Sequence, residues 1–154
     1  MQINISNGSS FQPLVGDIDN SGQNDIIIFS KDVLYVFDKS LNSKGQISVG
    51  NLIGQPSLVQ YDLDNKLEVI AVVNDSGTDY YKVIEFNGVS FNIQQSINIT
   101  SQKGYQNIKC INFGVGGNGI DCIFKDSRGF VHSFDYNDNN DDLNIDVSNN
   151  TGRN

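Results

Sequence analysis

The sequence predicts an all-β fold made of three consecutive four-stranded antiparallel sheets. Three observations carry this. The apolar segments are short, rich in Val, Ile, Phe and Tyr, and bounded by Gly, Asn, Asp and Ser, which is strand-and-turn chemistry. No stretch has a convincing helical period. Strands of matching character also recur in a fixed order three times along the 154 residues, as in a repeat protein.

Each unit opens with a strand that begins at a glutamine: "QPLVGD" from Gln12, "QPSLVQYD" from Gln55 and "QNIKCINFG" from Gln106. A solidly apolar second strand then follows an acid, in "NDIIIFS", "LEVIAVV" and "IDCIFKD", headed by Asp25, Glu68 and Asp121. The third strand ends on Phe and a turn-former, in "YVFD", "IEFN" and "HSFD", at Phe37, Phe86 and Phe134. The fourth alternates polar and apolar residues, in "QISVG", "FNIQQSINI" and "LNIDV". A continuous apolar run marks a strand covered on both faces, and alternation marks one that wets a face. That gradient belongs to blades of a β-propeller stacked face to face; the alternative is a twelve-stranded β-sandwich with accidental similarity. The units span about residues 11–50, 55–100 and 105–147, with a tail over 148–154. The segment "NDNNDDLNIDVSNNTGRN" has a composition suited to disorder, yet Leu143, Ile145 and Val147 fall where a fourth strand is due. Propellers close with about four to eight blades. Three would leave two apolar faces open, so a piece of a longer propeller, or one completed by other copies or a protein partner, is expected.

Composition narrows the function. A formal charge of -8 with ten basic residues argues against nucleic acid, which needs clustered Lys and Arg. No apolar run approaches the roughly 20 residues of a membrane span. The N-terminal "MQINISNGSSFQ" has neither the basic nor the apolar part of a signal peptide. This fits a chain that stays inside the cell, or a mature or trimmed form.

The motif with chemistry is "DIDNSGQND". Asp17, Asp19 and Ser21 take ladder positions one, three and five, Gly22 permits a sharp turn, Gln23 offers a carbonyl at seven, and Asp25 closes at nine. With a water this makes about six oxygens, within the 6–8 that Ca²⁺ prefers; Mg²⁺ wants a smaller octahedron with more water. Without a cation, each carboxylate pair costs on the order of 1–4 kcal/mol in repulsion. The bland reading is an ordinary Asx-rich hairpin turn. A second loop, "YDLDNKLEV", keeps Asp62, Asp64 and Glu68 but lacks the glycine and is shorter, and Lys66 could neutralise it with its own ammonium. The third, "FGVGGNGID", keeps only Asp121. The segment Asp135 to Asp146 loosely echoes an EF-hand loop, but Asn140 sits where that loop needs glycine.

These residues resemble the FG-GAP (VCBS-type, integrin α-like) repeat, whose blades carry D-x-D-x-D-G-x-x-D between first and second strands. The likeness covers nearly the whole chain as a blade rhythm. The calcium loop is well formed only once, and Ser21 departs from the pattern at position five. The resemblance implies a non-enzymatic, calcium-binding module for recognition, adhesion or assembly at a cell surface.

The remaining residues add little chemistry. Cys110 and Cys122 bracket the third hairpin as a candidate disulfide or as two buried thiols. Asn4, Asn7, Asn74, Asn98 and Asn149 open N-glycosylation sequons; with a disulfide these point outside the cell. His132 is the sole histidine, and no catalytic constellation is legible. Tyrosines 35, 61, 80, 81, 105 and 136 could stack on sugars, which leaves a carbohydrate-binding module as one alternative and an intracellular scaffold as another.

Overall fold

The computed structural model describes residues 11–62, 64–99, 108–111, 121–125, 131–136 and 143–147. Among them every element is a strand, and every pairing is antiparallel.

The first sheet holds β1 (Leu14–Gly16), β2 (Asp25–Ser30), β3 (Val33–Phe37) and β4 (Ser43–Ser48) in that spatial order. The second comprises β5 (Asn51–Leu52), β6 (Ser57–Val59), β7 (Glu68–Asp75), β8 (Thr78–Phe86) and β9 (Phe91–Asn98). The third contains β10 (Lys109–Ile111), β11 (Asp121–Lys125), β12 (Val131–Tyr136) and β13 (Leu143–Val147), also in chain order. Asp25, Glu68 and Asp121 each begin the second rung of their sheet, as the apolar runs behind them required.

The expectation of four strands per sheet needs correction in the middle. Asn51 pairs with Asn74 and Leu52 with Val73, while Ser57 pairs with Ile70, so β5 and β6 are two pieces of one edge beside β7. Between them residues 53–56 face only positions 71 and 72. Pro56 has no N–H to give the ladder, and the edge breaks there. The second sheet therefore starts at Asn51, four residues before Gln55. The expected match of Phe37, Phe86 and Phe134 also shifts. Phe37 pairs with Ile26 and Phe134 with Cys122, but Ile84 is what pairs with Val69. Phe86 lies two residues further along, because the longer β8 carries its ladder on to Phe91.

Burial shows how the sheets stack. On β7, Val69, Ala71 and Val73 join Ile27, Phe29, Leu34 and Val36 of the first sheet in one core. The alternate residues Ile70 and Val72 join Cys122 of the third sheet and Ile108, just before β10, in a second core. The period of two thus sends successive β7 side chains to opposite neighbours. A middle sheet covered on both faces is a layered stack in chain order, unlike a two-sheet sandwich. First strands of neighbouring sheets approach closely: a Cβ on Gly16 would run into Leu58 Cδ2, and Ser57 Oγ donates to the Ile108 carbonyl at 2.7 Å. On the far side of the first sheet Val15 is 63% exposed, and Ile26 and Ile28 are only half-buried.

Candidate metal centre

The first acidic loop is held by its one apolar residue. Ile18 is buried in the core between the first two sheets, so Asp17 and Asp19 on either side are turned away from it. Gly22 has φ +81°, which a side chain rarely tolerates, and this closes the turn. Asp17 accepts the Ser21 N–H at Oδ1 and the Gly22 N–H at Oδ2, both at 2.8 Å, and Ser21 N also donates to Asp19 Oδ1 at 3.2 Å. One oxygen each from Asp17, Asp19 and Asp25 lies within 4.8 Å of the others. Oxygens held at 2.3–2.6 Å from a common calcium ion lie up to about 5 Å apart, so the spread is compatible. Ser21 and Gln23 are exposed, and Ser21 also turns its hydroxyl towards Asp17 Oδ1 at 3.4 Å.

The structure adds a residue that sequence reasoning missed. Lys44 donates its ammonium to Asp19 Oδ2 and to Asp25 Oδ1, the latter at 2.9 Å. A bulge aims it there: Val36 pairs with Gly45 and Phe37 with Ser43, which leaves Lys44 as the extra residue of β4. Gly45 within a strand pattern is the one sequence signal that could have suggested the bulge. The turn after β8 closes the other side, since a Cβ on Gly88 would stand 3.3 Å from Asp19 Oδ2.

Lys44 splits the site electrostatically. Burial pushes the Asp19 carboxyl up, but the Lys44 ammonium and Ser21 outweigh this and hold it below the usual value. For Asp25 burial prevails over Lys44, and repulsion from Asp19 and Asp17 adds to it, so its carboxyl is raised. Asp25 is 1% exposed, and its Oδ2 meets no donor among the described residues. A buried anionic oxygen without a donor costs on the order of 1–3 kcal/mol, and a cation would remove that cost. The residues therefore fit a divalent ion.

The second loop repeats the arrangement with different neutralisation. Asp62, Asp64 and Glu68 again place one oxygen each within 4.8 Å of one another. Lys66 does not bond to the buried acid. It bonds to Asp64 at 2.7 Å and to Glu85 on β8, and those two bonds raise its pKa. At the bulge matching that of Lys44, Gln94 is the extra residue of β9, and its amide donates to Asp62 Oδ2 at 2.9 Å and Glu85 Oε2 at 3.3 Å. Glu68 is fully buried; its Oε2 accepts the Tyr61 N–H at 2.6 Å, and its Oε1 meets no donor among the described residues. Burial pushes its carboxyl up to about 8, helped by repulsion from Asp62, Asp64 and Glu85 and only partly offset by the Tyr61 N–H.

The other candidates are quickly placed. Cys110 and Cys122 pair directly across β10 and β11, and their sulfurs are bonded. Asn74 lies near the end of β7, with its amide donating to Asp79 Oδ1 at 2.5 Å; Asn98 is exposed on β9. Asn4, Asn7, Asn149 and Tyr105 lie outside the described residues, as do the glycines of the third loop and most of the Asp135–Asp146 segment. Tyr61 and Tyr81 are core residues, which removes two of the tyrosines considered for stacking on sugars. No protein-family model, curated protein or solved structure matches the chain.

Proposed function

We propose that this chain is a non-enzymatic, Ca²⁺-binding module of the propeller-repeat type, resembling FG-GAP repeats, that serves protein recognition or assembly at a cell surface. One observation carries the cation part. At the head of both β2 and β7 a fully buried acid, Asp25 or Glu68, keeps one oxygen without a donor among the described residues, beside two further aspartates. Ca²⁺ would draw these acids together and tie the loop to the central strand, with Asp17, Asp19 and Asp25 as its protein ligands in the first loop.

The stacking order supports the assembly part. Ile26 and Ile28 correspond in register to Val69 and Ala71, which the first sheet covers; in the first sheet itself those positions have no sheet against them among the described residues. A further blade, or a partner presenting one, would complete the stack. The Cys110–Cys122 bond supports an oxidising compartment.

Melting scans in calcium and in EDTA test the reading, with Asp19→Ala beside the unmutated chain. Calcium should raise the melting temperature of the unmutated protein and leave Asp19→Ala unmoved; equal melting in both buffers rejects the ion. Light scattering tests assembly, and a compact 17.0 kDa monomer argues against it.

A further inference from the structure

We infer that Lys44 is an intramolecular competitor for the cation of the first acidic loop: its ammonium holds Asp19 and Asp25 together, and it must swing out for a divalent ion to enter. The inference rests on the cation reading above. The Lys44 ammonium bonds to two of the three carboxylates that would ligate the ion. A monovalent and a divalent cation cannot share so small a cage without strong repulsion.

The ammonium is also an incomplete substitute. It reaches Asp25 Oδ1 and leaves the buried Oδ2 without a donor, so a divalent ion has an interaction to gain that lysine does not supply. The exit is short. Lys44 is the unpaired residue of a bulge, and its side chain is 22% exposed, so rotation about its own torsions reaches water while the ladder stays intact. Gln94, at the same bulge of the second sheet, carries no charge to play this part. Lys44 thus keeps the loop shaped without metal and sets how much calcium is needed to displace it.

Calorimetric titration of calcium into the unmutated protein, Lys44→Met and Asp19→Ala tests this. Met keeps most of the length of the side chain, removes the charge and brings no oxygen ligand of its own. Lys44→Met should bind at least about tenfold more tightly than the unmutated chain, the size expected for losing hydrogen bonds between charged groups, and Asp19→Ala should bind least. A second measurement needs no variant: under reductive methylation, Lys44 of the unmutated protein should be modified faster in calcium than in EDTA, while exposed Lys31 and Lys39 react equally in both. Equal affinities for the unmutated chain and Lys44→Met, with unchanged labelling, overturn the competitor and leave the cation site intact. Absence of binding in all three proteins removes both. If Lys44→Met does not fold, the labelling ratio decides alone.

Discussion

Glu68 makes the stability of this protein depend on pH with a definite sign. Its carboxyl titrates near 8 in the folded chain against an ordinary value of 4.5, chiefly because it is buried. Between those pH values the folded state holds a proton that the unfolded chain releases. Stability therefore falls as pH rises from about 4.5 to about 8, and the loss is complete above that. One pKa unit is worth 1.36 kcal/mol, so the full effect is about 5 kcal/mol, a large part of the 5–15 kcal/mol typical of a domain. The raised carboxyl of Asp25 acts in the same direction. The lowered carboxyls of Asp19 and Asp64 act oppositely, because their stabilisation is lost only as pH falls below the usual 3.8. In EDTA, stability should accordingly peak near pH 4–5. Urea unfolding at pH 5 and pH 8.5 measures this directly. Glu68→Gln keeps the shape and an acceptor for the Tyr61 N–H while removing the ionisation. It should flatten most of the slope and be the more stable protein at pH 8.5. A slope unchanged by Glu68→Gln, or an unmutated protein that gains stability over this range, would show that the buried acid is not what governs it.

Two further perturbations probe the scaffold. Reducing the Cys110–Cys122 bond, which spans 12 residues, should cost about 3 kcal/mol by the chain-entropy estimate; comparing urea midpoints with and without reductant checks it, and Cys110→Ser should lose the response. Gly16→Ala places a methyl group against Leu58 where the first strands of two sheets meet. Overpacking of this kind costs about 1–3 kcal/mol, visible as a lower urea midpoint, and an unchanged midpoint would place those strands further apart.

Much of the architecture was legible because it is local. Apolar runs behind Asp25, Glu68 and Asp121, alternation in the fourth strands and turn-formers between them depend on which side chains face water, and neighbours in the chain report that. The aspartate spacing likewise put Asp17, Asp19 and Asp25 in one curled loop before any fold was known. Lys44 was not legible, since it enters the site from the fourth strand across a bulge, and a one-residue change of register reverses the face a side chain takes. The neutralisation of the second loop was legible only in part for the same reason: Lys66, two residues beyond Asp64, does bond to it, but Glu85 and Gln94 arrive from other strands and draw the remaining contacts away from Glu68. The sequence by itself determined which residues are strands and where the acids gather. Only the tertiary structure decided which acids are left without a counter-charge, because desolvation and pairing depend on what the neighbouring strands bring within about 3 Å.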